Sequence, residues 1–141
     1  MALVYAPSSV AVGAPKTTIL LVDDDPFQAN AHRLALERHF PNIERVTGAS
    51  EAFIRLGEPE FQETLALILV GLRLPGVGSP AIVSELRSRL PHVPVLVIGR
   101  RGETATDYTS EKVGFLPSGS PGSELLAAVR KVLAARLRQV A

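Results

Sequence analysis

Ile19-Leu20-Leu21-Val22-Asp23-Asp24-Asp25-Pro26 (ILLVDDDP) joins an unbroken apolar run to three consecutive carboxylates and a proline. A continuous leucine and β-branched run is what a strand buried on both faces requires. Asp25 and Pro26 then open a helix. The carboxylate caps free backbone N–H groups, and proline takes the first helical position, where a missing N–H costs nothing. Beyond the proline, Phe27, Ala31, Leu34 and Ala35 fall at i, i+4, i+7 and i+8, the stripe of an amphipathic helix. Strand, acidic corner and helix thus follow one another without a spacer.

The same alternation repeats along the chain. Asn42–Val46 is a weaker strand, followed by a short helix carrying Ala49, Ala52, Phe53 and Leu56. Leu65–Val70 is the strongest strand, and Ile82, Val83, Leu86 and Leu90 line the next helix. Val93–Ile98 and Val113–Leu116 supply two more strands. The last helix carries Leu125, Leu126, Val129, Leu133 and Leu137, with Arg130, Lys131, Arg136 and Arg138 mostly on its wet side. Ser79–Pro80 and Ser120–Pro121 repeat the cap chemistry of Asp25–Pro26, each cap worth ~1 kcal/mol. Strands alternating with helices imply right-handed βαβ crossovers and a parallel sheet covered on both faces. The expected fold class is α/β: a small (βα)5 unit, doubly wound around five parallel strands. Its ligands belong beyond the carboxyl ends of the strands. One segment breaks the rhythm. RRGETATDYTSEK at 100–112 has almost no apolar residue to face a sheet, so the helix between the fourth and fifth strands is expected short or absent.

Composition narrows the function classes. The 141 residues suit one domain, and 46% apolar against 21% charged residues excludes a disordered or fibrous chain. A net charge of +1 lacks the basicity of a protein held to nucleic acid by its phosphates. No cysteine is present, which excludes disulfides, thiolate metal sites and cysteine nucleophiles. His32, His39 and His92 show no ligand spacing. Residues 1–16 read as a flexible, weakly hydrophobic tail interrupted by Pro7, Gly13 and Pro15, without the basic start of a secretory signal. No stretch reaches the ~20 apolar residues of a membrane span. The domain is expected over 17–136, with 137–141 as the end of the last helix. Gly76–Pro80 lacks the lysine and spacing of a phosphate loop. No Ser–His–Asp set or GxGxxG supports a hydrolase or dehydrogenase.

At the first strand end, two carboxylates ~4 Å apart repel by ~4 kcal/mol at an effective dielectric near 20, so a cluster in a pocket needs a cation. Asp25 is explained as a cap. For Asp23 and Asp24, a hard-cation site of the Mg²⁺ type and a solvated turn stand about even.

ILLVDDDP at 19–26, LILVGLRLPG at 67–76, PVLVIG at 94–99 and GFLPSGSPGSELLAAVRKVL at 114–133 together resemble the receiver domain of bacterial response regulators. The resemblance covers about residues 17–136. It implies a protein of two-component or phosphorelay signal transduction, a flavodoxin-like fold that accepts a phosphoryl group from a histidine kinase onto an aspartate with Mg²⁺, and a cytoplasmic location. It also implies that Asp23 and Asp24 are the metal-holding acidic pair and that Phe115 is the switch aromatic. The acceptor aspartate falls on Gly71, the hydroxyl residue on Gly99 and the lysine on Ser118.

Glycine offers no in-line nucleophile. No catalytic residue and no enzymatic activity are therefore expected, and the chain reads as a stand-alone, degenerate pseudo-receiver acting by phosphorylation-independent protein–protein interaction. Its interaction surface is expected around Phe115, Leu126 and Arg130. Arg100, directly after the fourth strand, is either a permanent counter-ion for Asp23 and Asp24 or a solvated loop charge. No cofactor is expected beyond a weak Mg²⁺ site at Asp23 and Asp24. The expected partner is a histidine kinase, another regulator or a second copy, rather than nucleic acid or a membrane. Two alternatives remain open: a small-ligand sensor using the space vacated at Gly71, Gly99 and Ser118, and a receiver phosphorylated at a non-standard acceptor.

Overall fold

The structure is a computed structural model, and it describes residues 17–73, 79–108 and 113–140, with the side chains of 79 and 136–140 excepted. The tail, the glycine-rich turn at 76–78 and the arginines Arg136 and Arg138 lie outside what is described. Strands β1 (Thr18–Val22), β2 (Asn42–Val46), β3 (Leu65–Val70), β4 (Val95–Ile98) and β5 (Val113–Leu116) form one sheet in the order β2-β1-β3-β4-β5. Every neighbouring pair is parallel. The helices are α1 (Pro26–Leu36), α2 (Ala49–Leu56), α3 (Pro59–Thr64), α4 (Ser79–Arg89) and α5 (Gly122–Val140).

Burial explains why the strands read so plainly. Every residue of β3 is buried, as are Ile19–Val22 of β1. Successive side chains point to opposite faces. Leu20, Val22, Ile68, Val70, Val95 and Val97 meet α2, α3 and α4 on one side. Ile19, Leu21, Leu67, Leu69, Leu96 and Ile98 meet α1 and α5 on the other. The outer strand β2 alternates instead, its Asn42, Glu44 and Arg45 being half-buried. Strand order reverses between β1 and β3, which places a crevice at their carboxyl ends.

Several local expectations need correction. The sequence period placed Phe27, Ala31, Leu34 and Ala35 on the stripe of α1. The helix instead seats itself through Ala29 and Leu36, with Ala35 half-buried against the same core, while Phe27 and Leu34 are exposed. Small residues let α1 approach α5 closely: a Cβ on Gly122 would stand 3.0 Å from the Cβ of Ala35. Asp25 does cap α1, its carboxylate accepting from the amides of Phe27 and Gln28. Ser120 does not repeat this. Its hydroxyl donates to the Pro117 carbonyl at 2.7 Å, and α5 begins at Gly122. Strand β4 starts at Val95, two residues later than its apolar run suggests, because Pro94 has no N–H for the ladder. The short helix α3 was not anticipated. Among the described residues between β4 and β5, a 3-10 turn at Ala105–Asp107 stands in place of a helix, started by a capping box between Thr104 and Asp107.

Candidate functional site

The carboxyl ends of β1 and β3 bring Asp23, Asp24 and Gly71 together. Asp23 is fully buried, and an unpaired buried carboxylate would be costly. It is held by hydrogen bonds. One carboxylate oxygen accepts from the Asp25 amide at 2.9 Å, and the other from Gln28 Nε2 at 3.2 Å. The backbone of Asp23 is fixed as well, its amide donating to Val46 and its carbonyl accepting from Arg45 Nε at 3.1 Å. His32 Nδ1 approaches the same carboxylate to 3.5 Å without forming a hydrogen bond. Gln28 and His32 are four residues apart, so one face of α1 brings both to this corner.

Asp24 looks toward the β3–α4 loop. Both of its oxygens accept from the Arg73 amide, at 2.9 and 3.1 Å, tying two strand-following loops together. Gln28 Nε2 also donates to the Gly71 carbonyl at 3.3 Å. A Cβ on Gly71 would lie 3.1 Å from Asp23 Oδ2 and 3.1 Å from Gln28 Nε2. The place where a side chain at 71 would begin is thus tightly bordered by Asp23 and Gln28, which would have to give by a few tenths of an ångström.

At the end of β4 the closure is tighter. A Cβ on Gly99 would lie 2.4 Å from Phe115 Cζ and 2.7 Å from Cε1. The aromatic ring of β5 occupies the space that any side chain at 99 would need. Beside it stands the buried ring of Tyr108, its centroid 5.8 Å away. The Tyr108 hydroxyl donates to Glu103, whose other carboxylate oxygen accepts from the Arg100 amide at 2.7 Å. Arg100 Nε donates to the Leu72 carbonyl at 3.2 Å, reaching the loop whose next amide holds Asp24. Ser118 is half-buried in the turn after β5, which Gly119 closes with φ of 81°.

The three residues expected to share an interaction surface are not gathered on one face. Phe115 packs against the α2–α4 side of the sheet, and Leu126 against the α1–α5 side. Arg130 is exposed, with Nη2 3.1 Å from His39 Nδ1 in the turn after α1. Gln28, His32, Glu103 and Tyr108 were not singled out from the sequence. For Gln28 a signal existed: three residues past a helix cap, on the inward face, a polar side chain must find a buried partner.

Mg²⁺ wants near-octahedral oxygens, with one or two carboxylates and several waters. Here each Asp23 oxygen accepts one amide hydrogen bond, Asp24 holds a backbone N–H, and Gly71 adds no carboxylate, so the described site offers the carboxylates of Asp23 and Asp24 and no third. Among the described residues no group of three or more His, Asp or Glu could hold a metal.

No protein-family model matches the chain. It is 27% identical over 118 residues to a glycerol metabolism activator of Pseudomonas putida, covering 82% of this chain and about half (53%) of that protein. A response regulator receiver protein from Sinorhizobium medicae superposes with a TM-score of 0.71 at 19% identity, over 85% of this chain and 96% of that one. A response regulator receiver domain protein from Clostridium thermocellum gives 0.73 at 16% identity, over 85% and 96%. The chain has the response-regulator receiver fold. Its five parallel strands and flanking helices are those of the flavodoxin-like receiver architecture. No helix among the described residues is long and apolar enough to cross a membrane.

Proposed function

We propose that this chain is a pseudo-receiver of bacterial two-component signalling that works by binding a protein partner without being phosphorylated. One observation carries the reading: the space above β3 is bordered by Gln28 with Asp23, and that above β4 is taken by the Phe115 ring. Phosphoryl transfer needs a carboxylate in line with the donor phosphorus and a cation to hold the phosphate. Gly71 supplies no nucleophile, Ser118 no cation, and the oxygens of the acidic pair accept amide hydrogen bonds. In this reading the domain is not an enzyme and takes no cofactor. Arg100 serves as the fixed cation of this edge, and the chain acts in the cytoplasm. A small-ligand sensor is disfavoured because the space at Gly71 is narrow and that at Gly99 is occupied.

The partner is a histidine kinase or another regulator that recognises the exposed face of α5 at Arg130. The decisive experiment incubates the protein with Mg²⁺ and acetyl phosphate and reads the intact mass. No adduct is expected. A stoichiometric, acid-labile phosphate adduct overturns the reading and establishes a non-standard acceptor. Capture of the partner from native cells should be weakened by Arg130→Glu, and equal capture removes α5 from the surface.

A further inference from the structure

Helix α1 turns an apolar line outward. Phe27 is 87% exposed and Leu34 58% exposed, and Ala31 between them is exposed too. At i, i+4 and i+7 the three share one face of the helix. Ala29 and Leu36, which seat the helix on the core, lie on the opposite side. The coil continues past the helix end, where the Phe40 amide donates to the Leu36 carbonyl at 2.8 Å. This carries exposed Arg38, four residues after Leu34, onto the same side as the line. The face therefore runs from the acidic corner at Asp24 and Asp25, through three apolar residues, to a cation. Exposed Glu37 stands about a quarter turn away.

That order makes the face its own complement. A two-fold axis passing between Asn30 and Ala31 lays a second α1 antiparallel to the first. Phe27 of each copy then meets Leu34 of the other, the two contacts standing roughly 10 Å apart along the helices. Small Ala31 sits at the crossing, where packed helix axes approach to about 8–10 Å. Exposed Asn30 lies beside it, and its amide, donor and acceptor in one group, matches its own copy across the axis. At each end Arg38 comes opposite the carboxylates of Asp24 and Asp25 in the other copy, and the two helix dipoles run head to tail.

The area sets the strength. A large aromatic buries roughly 150–250 Å², so with Leu34, Ala31 and the Arg38 stem each copy gives up on the order of 400 Å². Stable complexes bury about 1,200–2,000 Å² over both partners, and this contact falls below them. Such a dimer forms reversibly, with a dissociation constant above about 1 μM.

We infer that two copies of this chain associate through antiparallel α1 helices, across Phe27, Ala31 and Leu34. The inference does not depend on whether the domain is phosphorylated. Sedimentation of the full chain from roughly 10 μM to 1 mM should show a mean mass climbing from one chain toward two, while Phe27→Glu stays monomeric throughout. The absence of cysteine allows a second readout. Ala31→Cys places a single thiol beside the axis, and Ser50→Cys, exposed at the start of α2, is the control. With a short bis-maleimide, the thiol at position 31 should link two chains roughly ten-fold faster than the thiol at position 50, and adding Phe27→Glu should remove the difference. A parent chain that stays monomeric at 1 mM overturns the inference and leaves the face to a different protein. Equal dimerisation of Phe27→Glu, or equal linking at positions 31 and 50, overturns it in favour of another face. Circular dichroism matching the parent chain confirms that each variant is folded.

Discussion

Substituting Gly99 by alanine adds one methyl group where the Phe115 ring already stands. The new Cβ would lie 2.4 and 2.7 Å from two ring carbons, against the ~3.5–4.0 Å of an ordinary carbon contact. The ring must withdraw by about 1 Å or more, and the neighbouring Tyr108 ring is buried and tied through its hydroxyl to Glu103. Gly99 is not among the glycines with positive φ, so alanine meets no backbone objection. The whole cost is the collision, and overpacking of this kind costs about 1–3 kcal/mol. A loss of ~2 kcal/mol in a domain of this size lowers Tm by roughly 6–12 °C. Urea unfolding of the parent, Gly99→Ala, Phe115→Ala and the double variant closes a double-mutant cycle. With the ring gone the methyl group should be accommodated, so most of the Gly99→Ala penalty should vanish in the Phe115→Ala background. A penalty of equal size in both backgrounds would refute the claim that Phe115 fills this space.

Restoring a carboxylate by Gly71→Asp should not restore an acceptor. Its Cβ must push aside Asp23 and Gln28, each 3.1 Å away, and its charge arrives beside a buried aspartate. A destabilisation of about 1–3 kcal/mol in urea and no adduct with acetyl phosphate are expected; a stable, phosphorylated variant contradicts this. Glu51 offers a pH test. Hydrogen bonds from the Thr47 hydroxyl, and then from the Thr47 amide, hold its carboxyl below the ordinary 4.5. A carboxyl lowered on folding stabilises above its unfolded pKa, and that stability is lost as pH falls through the folded value. The parent should therefore exceed Glu51→Gln in Tm at pH 7, with the gap closing below about pH 4.5. A gap that stays constant down to pH 3 excludes the bond as its cause.

The sheet was legible because buried parallel strands carry unbroken apolar runs, as Leu65–Val70 does. The absence of a full helix among the described residues 100–108 was legible for the opposite reason, since of these only Tyr108 is buried. Helix α3 escaped notice because only Phe61 of its six residues is buried, too little to set a period. For α1 the period was real but pointed the wrong way: periodicity marks an amphipathic helix without saying which face the sheet takes. Here the sheet takes Ala29 and Leu36 together with Gln28, whose amide supplies buried Asp23 with a donor. Gly71 and Gly99 announced missing side chains. What occupies their places comes from α1 and β5, distant in sequence, and only the packed fold reveals it.

The ring seated over Gly99 bears on how such a domain carries information. A protein dividing its time between two arrangements binds with an affinity reduced by the fraction that is competent. Where one arrangement is built in by packing, that fraction stays near one and binding pays no such tax. The partner then feels only how many copies are present. Under the proposed function, control would pass from chemistry on the domain to its abundance, and any variant that unseats the ring would act as a change of dose.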